Sequence, residues 1–377
     1  MLPEAERAEI RRLFPACRRE AYLDTATASP TPAFVRAAAM RFYRHKAQGF
    51  APGRWAPERD RAIARTADYL GAGADEVVLL GNSTEALNLV AASLPWRADD
   101  EVVVNDIDFE SNLYPWMRLR ERGVGVRVAR SEDGRLPMAA IEAQLTPRTR
   151  LVAVSHVFAQ SGVRTDIAAL GAMLHRRGIL LSVDGTQAAG YIRPDLREVD
   201  FYAASIFKGL LGPFGLAFLR VRREVAGSLT PAVVGYGSVA TPGAPGDETF
   251  DWVQGPQRLQ FSHLNYPALY GLGASLAYLE GIGWERVTEH VLDLSGQAVA
   301  ALGALSGVRV ATPAAAAERL GIVSFDPPGG DADAVVAALG RRGVRTASRD
   351  GRVRVSFHVY NGPEDIERLV GALARIG

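Results

Sequence analysis

From about residue 75 the chain alternates short apolar, β-branched runs with stretches that have the amphipathic pattern of helices. This alternation predicts an α/β fold with a mainly parallel central sheet, because parallel strands need crossover helices that cover both faces. The predicted strands are Val77–Leu80, Glu101–Asn105, Val124–Ala129, Leu151–Ser155, Ile179–Asp184, Phe201–Ala204 and Leu216–Val221. Ligands of such sheets bind at the carboxyl ends of the strands, so we expect the functional residues directly after these runs.

The C-terminal third of the chain has a different pattern. Residues 222–258 are rich in Gly, Pro, Ser and Thr and are predicted to form a long irregular connection of functional importance. Two long helices are predicted next, and then a smaller α+β unit with strands near 308–311, 321–325, 344–347 and 353–359. We therefore expect a large domain over 20–260, a small domain over 1–19 and 281–377, and a connecting helix over 261–280.

Composition excludes several classes of function. The net charge of +1 gives no electrostatic footprint for nucleic acid, and no apolar run approaches the roughly 20 residues that span a bilayer. Cys17 is the single cysteine, which excludes an intrachain disulfide and a multi-cysteine metal site and indicates the reducing cytoplasm. The six histidines lack the spacing of metal ligands, so no metal is expected.

Lysine is rare in this chain. Among 43 basic residues only Lys46 and Lys208 are lysines. Arginine stays charged, so a position that remains lysine in an arginine-rich chain suggests an amine that must lose its proton. Lys208 follows the predicted strand 201–204 among apolar neighbours that lower the pKa of an amine. It is either a Schiff-base lysine or a surface lysine in a turn, whereas Lys46 is expected to be a solvated helix residue.

Asp184 ends an apolar predicted strand, where an unpaired carboxylate is costly. Its partner is a metal, an arginine or the protonated ring nitrogen of a cofactor. Pyridoxal phosphate (PLP) is such a cofactor, and enzymes hold it with an aspartate at the ring nitrogen and a Schiff-base lysine. Gln187 lies one turn further along the chain, within reach of a neighbouring oxygen on such a ring.

Three further positions fit a flat, phosphorylated ligand. Ser83 and Thr84 stand at the start of a predicted helix, where free N–H groups attract anions, although an ordinary capped helix has the same pattern. Ser205 is a second hydroxyl that can reach the same phosphate. Phe109 follows the next strand and either stacks on a cofactor ring or packs in the core.

Six segments together resemble the class V aminotransferase family of PLP-dependent enzymes, which have fold type I. They are GNSTEALN, DFESNLYPW, SHVFAQSG, SVDGTQ, SIFKGLLGPFG and RVSFHVYN, within a match that runs from Tyr22 to Asn361. The pattern is most similar to the branch that contains cysteine desulfurases, isopenicillin N epimerase-like proteins and kynureninase.

The resemblance implies roles for the residues above. Lys208 forms the Schiff base with PLP and later acts as the general base, Asp184 pairs with the pyridinium nitrogen, and Gln187 contacts the ring hydroxyl oxygen. The resemblance also assigns Phe109 to the ring face, Ser83, Thr84 and Ser205 to the phosphate, and Arg349 to the substrate carboxylate. Its relatives are homodimers with shared active sites, in which His263 would contact the phosphate of the other subunit.

The sequence departs from cysteine desulfurases in ways that bear on the reaction. Those enzymes need a cysteine on a loop before the C-terminal strands, and this chain has none there. Ala159 stands where they carry an asparagine, and Phe207 replaces the histidine that often precedes the lysine. We therefore expect removal of the α-proton of an amino acid by Lys208, followed by β-elimination such as C–S cleavage.

Other outcomes remain open at this stage. Reprotonation at the cofactor would make the protein an aminotransferase, and reprotonation at Cα would make it an epimerase. A chain that keeps the fold without turnover would be a binding protein. A dinucleotide site is disfavoured, because Gly71-Ala72-Gly73 precedes a strand instead of following one.

Overall fold

The computed structural model describes residues 1–49, 52–241 and 249–376. The α-helices are α1 (Glu4–Arg12), α2 (Ala33–Ala47), α3 (Pro52–Leu70), α4 (Ser83–Ser93), α5 (Tyr114–Met117), α6 (Met138–Glu142), α7 (Ile167–His175), α8 (Arg223–Ala226), α9 (Tyr266–Ile282), α10 (Trp284–Gly303), α11 (Ala332–Arg341) and α12 (Pro363–Leu373). The strands are β1 (Ala21–Tyr22), β2 (Val77–Leu80), β3 (Glu101–Asn105), β4 (Gly125–Ala129), β5 (Thr149–Ser155), β6 (Leu180–Asp184), β7 (Phe201–Ser205), β8 (Ala217–Val221), β9 (Arg309–Val310), β10 (Ile322–Asp326), β11 (Val344–Arg345), β12 (Ala347–Arg349) and β13 (Arg352–Ser356).

The central sheet has seven strands in the order β2-β8-β7-β6-β5-β3-β4. Only β8 runs antiparallel to its neighbours β2 and β7, so the predicted mainly parallel sheet is confirmed. All seven predicted strands occur, with bounds that differ by at most two residues. Every residue of β2, β3, β7 and β8 is buried, which explains why these strands are mainly apolar.

Side-chain caps set the starts of the helices nearest the strand ends. Asn82 accepts the backbone N–H of Glu85 at the start of α4, and Asp166 accepts that of Ala169 at the start of α7. Such caps satisfy N–H groups that have no partner inside the helix. The cap of α4 directly follows β2, so the helix begins at the carboxyl end of the sheet.

The C-terminal part contains a four-stranded antiparallel sheet in the order β12-β13-β10-β9. The predicted strand 344–347 is divided between β11 and β12, and β13 ends at Ser356, earlier than predicted. It ends there because His358 donates its backbone N–H to the Asn361 side chain, which starts a turn. Strand β1 pairs in parallel with β11, while the domain boundaries given above stay a prediction.

The predicted irregular connection over 222–258 is only partly visible. Residues 242–248 lie outside the described residues, and the rest holds the short α8 and loop segments. Within the described ranges, no helix has the length and apolar character needed to cross a membrane.

Candidate active site

A cavity of about 240 Å³ opens at the carboxyl ends of β2, β5, β6 and β7. Eight of the nine predicted site residues line it, namely Ser83, Thr84, Phe109, Asp184, Gln187, Ser205, Lys208 and Arg349. All of them except Arg349 come together because parallel strands present their carboxyl ends at the same edge of a sheet. The N-terminal segment contributes Ala26 and Thr27, and the β12–β13 hairpin contributes Arg349 and Arg354.

Lys208 lies in the turn after β7, with its amine between two aromatic rings. Its Nζ atom is 5.6 Å from the ring centre of Phe207 and 5.8 Å from that of Phe109. Desolvation lowers the pKa of the Lys208 amine to about 8, against the opposing attraction of Asp184. A substantial fraction of this amine is therefore neutral and nucleophilic near physiological pH.

Asp184 is buried at the end of β6 and faces the same cavity. One carboxylate oxygen accepts the backbone N–H of Thr186 at 2.8 Å, and desolvation raises the pKa of the group. Among the residues that the structure describes, no arginine forms an ion pair with Asp184. The carboxylate is thus available to a cationic ligand in the cavity.

Hydroxyl groups cluster at the first turn of α4. Ser205 Oγ accepts the backbone N–H of Ser83 at 3.0 Å and donates to Ser83 Oγ at 2.8 Å. Thr84 Oγ1 lies 2.8 Å from the hydroxyl of Ser111, a cavity residue that the sequence analysis missed. Ser111 lies in the segment that follows β3, two residues after Phe109, and this position is the signal that would have found it. The helix N-terminus and these hydroxyls suit an anion such as a phosphate.

Phe109 is 40% exposed and contributes its ring to the cavity wall. Its loop is held by the buried Asp108, which accepts the Phe109 N–H at 2.9 Å and the Ser155 hydroxyl at 2.5 Å. The side-chain amides of Asn105 and Asn112 donate to the same carboxylate at 2.9 and 3.0 Å. Burial raises the pKa of Asp108 to about 6. This network holds in place the loop that carries the Phe109 ring.

Gln187 is buried and lies on the same side of the cavity as the N-terminal segment. Its Nε2 atom donates to the carbonyl oxygen of Ala26 at 3.0 Å, which fixes the side chain. Ala159 lines the cavity with a methyl group and offers no polar side chain there.

Arg354 was missed by the sequence analysis, which selected Arg349 on the same hairpin. Arg354 is 2% exposed; Nη1 donates to the Ala159 carbonyl at 2.8 Å and Nη2 to Thr27 Oγ1 at 2.7 Å. Its Nε atom is buried without a partner, and desolvation lowers the pKa of the group to about 10. Arg349 is exposed at the cavity rim. The available signal was the position of Arg354 between two valines inside the predicted strand 353–359, whereas Arg349 precedes that strand.

Two residues lie away from this cavity. His263 is exposed and lines a separate cavity with Lys46, Trp55 and Tyr266, so its contact with a partner's cofactor stays a prediction. Cys17 is 2% exposed and does not line the candidate site. Burial raises the pKa of the Cys17 thiol to about 12.

The family model for class V aminotransferases matches residues 21–369. The chain belongs to the class V aminotransferase family. Members of this family are PLP-dependent enzymes, and the predicted fold class, cofactor and enzymatic nature are thereby confirmed.

Several relatives of this class V chain carry the name cysteine desulfurase. A probable cysteine desulfurase of Methanothermobacter thermautotrophicus is 32% identical over 394 residues, covering 98% of this chain and 97% of that protein. A cysteine desulfurase of Klebsiella pneumoniae is 31% identical over 98% of this chain and 97% of its own length.

Solved structures of the family have the same fold. The apo cysteine desulfurase of Thermococcus onnurineus NA1 superposes with a TM-score of 0.91 at 27% identity, over 98% of this chain and 97% of that one. The cystine C–S lyase C-DES, solved with its product cysteine persulfide, has a TM-score of 0.89, with 96% and 99% coverage. Its identity of 24% makes it a likeness of fold alone.

The donors in the cavity fit the cofactor of the class V family. PLP combines an aldehyde, a basic ring nitrogen and a phosphate, and here a neutralisable amine, a buried carboxylate and a hydroxyl-lined helix N-terminus face one space. Lys208, Asp184 and Ser83 are the side chains that present these three chemistries.

Proposed function

We propose that this enzyme cleaves the C–S bond of a cysteine-type amino acid by β-elimination and releases the sulfur as a small molecule. The overall reaction converts the amino acid and water to pyruvate, ammonia and a thiol. The names of the relatives support sulfur amino-acid chemistry. The position of Cys17 supports release of the sulfur as a small molecule. This residue holds the only thiol in the sequence and is buried outside the cavity, so no protein thiol is placed to accept the sulfur.

Three sets of side chains are proposed to hold the cofactor, at its ring nitrogen, at its phosphate and along its ring. When bound, PLP withdraws electrons from Cα of the substrate and so acidifies the α-proton. Asp184 keeps the ring nitrogen protonated, because a buried carboxylate favours a cation beside it. Ser83, Thr84 and Ser205 would bind the phosphate at the start of α4, and Phe109 and Gln187, which line the same cavity, would contact the ring and its hydroxyl oxygen.

Lys208 and Arg354 are proposed to act on the substrate. The free Lys208 amine removes the α-proton, for which its lowered pKa of about 8 is suitable. Arg354 binds the α-carboxylate, since its planar guanidinium is held in place by Thr27 and Ala159. The electron pair of the broken C–H bond then drives out the sulfur, which leaves as a thiolate and takes up the proton. The enamine that leaves the site hydrolyses to pyruvate and ammonia.

Product analysis tests this proposal. The PLP-loaded enzyme is incubated with L-cysteine and with L-cystine, and pyruvate, ammonia, alanine and released sulfur are quantified. We expect pyruvate and ammonia in equal amounts without any keto acid, and no product with Lys208→Ala. Alanine as the main product would identify a desulfurase, a strict keto-acid requirement an aminotransferase, and an inverted amino acid an epimerase. A protein that binds no PLP and turns over nothing would be the binding protein considered above.

We also infer a homodimer in which each subunit completes the other's site through His263. The imidazole is exposed, lies outside its own cavity and packs against Tyr236 at a ring separation of 5.1 Å. Sedimentation at low micromolar concentration tests the dimer. Mixing Lys208→Ala with His263→Ala chains tests the sharing: heterodimers with one intact site should recover part of the activity that each variant lacks.

A further inference from the structure

Two arginines of the β12–β13 hairpin lie on one face of it. Ala347 is opposite Arg354 and Arg349 is opposite Arg352 in the antiparallel register. Opposite residues, and residues two apart on a strand, point to the same side, so Arg349 and Arg354 are diagonal neighbours on one face. The alternate positions Val353 and Val355 are fully buried on the other face.

The turn of this hairpin fixes that arrangement. Asp350 and Gly351 form a two-residue connection with φ values of 49° and 73°. Positive φ at both positions is the geometry of a type I′ turn, which matches the twist of the strands and sets their register. A register slip of one residue would place Arg349 and Arg354 on opposite faces of the hairpin.

The two arginines differ in how they are held. Arg354 is buried, is fixed by its hydrogen bonds to Ala159 and Thr27, and has a counter-charge in Asp24, whose carboxylate lies 3.5 Å from its Nη2 atom. Arg349 is exposed at the cavity rim, and its side chain makes no hydrogen bond or ion pair with any residue that the structure describes. Arg352 is on the same face but is neutralised by Asp326 at 2.9 Å. Arg349 is thus the cation of this face that has no counter-charge.

The charge of Arg349 affects the ionisable groups inside the cavity. Its repulsion contributes to the lowered pKa of both Lys208 and Arg354, although desolvation is the larger cause for each. An anion beside Arg349 would relieve this repulsion. Since Arg354 is already oriented deep in the site, the rim arginine is left for a second acidic group further along the substrate.

We propose that Arg354 and Arg349 bind two different carboxylates of one substrate. Arg354 takes the α-carboxylate, and Arg349 takes a carboxylate on the sulfur leaving group, beyond the bond that breaks. This inference rests on the proposed C–S cleavage. It narrows the substrates to S-substituted cysteines, either thioethers or disulfides, in which the sulfur leaving group carries a carboxylate. Arg349 is a specificity residue in this assignment and takes no part in proton transfer.

A matched pair of substrates tests the assignment. S-carboxymethyl-L-cysteine and S-carbamoylmethyl-L-cysteine have the same size and differ in one negative charge. For the PLP-loaded wild type we expect kcat/KM for pyruvate release to be about tenfold higher with the acid, the scale of one hydrogen bond to a charged group. Arg349→Gln should abolish this preference by lowering kcat/KM for the acid, whereas kcat/KM for the carbamoyl substrate should change much less. Arg352→Gln, which removes a charge from the same hairpin face, should keep the full preference.

The outcomes separate this assignment from the reaction itself. Equal efficiency of the wild type on both compounds overturns the assignment while pyruvate formation leaves C–S cleavage standing. An equal loss on both compounds in Arg349→Gln also overturns it, because Arg349 would then bind the α-carboxylate. No pyruvate from these compounds, from cysteine or from cystine overturns the proposed C–S cleavage, and the assignment with it.

Discussion

The imidazole of His358 is hydrogen-bonded to the turn that carries Lys208: its Nε2 atom lies 2.7 Å from the carbonyl oxygen of Gly209. Nδ1 accepts the backbone N–H of Val359 at 2.7 Å, so Nε2 bears the proton and donates it to Gly209. Burial lowers the pKa of His358 to about 3 and keeps the ring neutral. The segment after β13 therefore holds the lysine turn in place.

Replacing His358 tests this connection. His358→Ala leaves the Gly209 carbonyl without its donor and opens a void, and we expect a loss of about 2–4 kcal/mol in the free energy of unfolding. Urea denaturation of the PLP-loaded protein measures it. His45→Ala removes a half-buried imidazole with one contact, to Tyr270, and should cost less than about 1 kcal/mol. Equal losses in the two variants would contradict an anchoring role for His358.

His358 also predicts acid sensitivity. Its folded pKa of about 3 lies below the ordinary value of 6.5, so the unfolded chain binds more protons between these pH values. Stability therefore falls as the pH falls from 6.5 toward 3, by up to about 1.4 kcal/mol per pH unit from this group. His358→Gln cannot take up this proton, so its urea midpoint should fall less between pH 7 and 4.5. A parallel pH dependence in both proteins would refute this prediction.

Asp108→Asn is expected to loosen the loop that carries Phe109. The carboxylate accepts hydrogen bonds from Asn105, Asn112 and Ser155, and an amide nitrogen in its place would meet donors. We expect a loss of about 2–3 kcal/mol in unfolding free energy and weaker PLP binding, measured by urea denaturation and cofactor titration. Asp106→Asn is the control on the same loop: Asp106 accepts one backbone hydrogen bond, from Ser131, and pairs with the exposed Arg130 at 3.6 Å, so its replacement should have a small effect on both.

The pKa of Lys208 predicts the pH dependence of cofactor capture. Only the neutral amine attacks the aldehyde of PLP, so the rate of capture by the cofactor-free protein should rise with pH and level off above about 8. Borohydride reduction followed by mass spectrometry measures the adduct and assigns it to Lys208 or Lys46. Lys46→Met should leave the profile unchanged. A rate that still increases steeply above pH 9 would mean that burial does not lower this pKa.

Cys17→Ala should retain activity within about twofold. The thiol is buried outside the cavity, and its raised pKa keeps it protonated. Initial rates of pyruvate release are compared at equal PLP occupancy, judged from the visible absorbance. A variant that holds PLP but releases no sulfur would show that a protein thiol takes part after all.

Much of the candidate site was predictable because it depends on local order along the chain. Ser83, Phe109 and Lys208 each follow a strand that its apolar run identifies, and Asp184 ends one. Once the sheet is parallel, the ends of these strands must meet at one edge. The strand–helix alternation thus determined both the fold class and the convergence of these four residues.

The choice between Arg354 and Arg349 was decided by tertiary structure alone. Both stand on the same short hairpin in a chain with 41 arginines, and only packing against Ala159 and Thr27 buries one of them. The same holds for His358 and Gly209, which are 149 positions apart in the sequence. Sequence patterns determined which residues end strands, because periodicity is a local property of the chain. The packing of the C-terminal sheet on the strand ends decided which distant side chains anchor those residues.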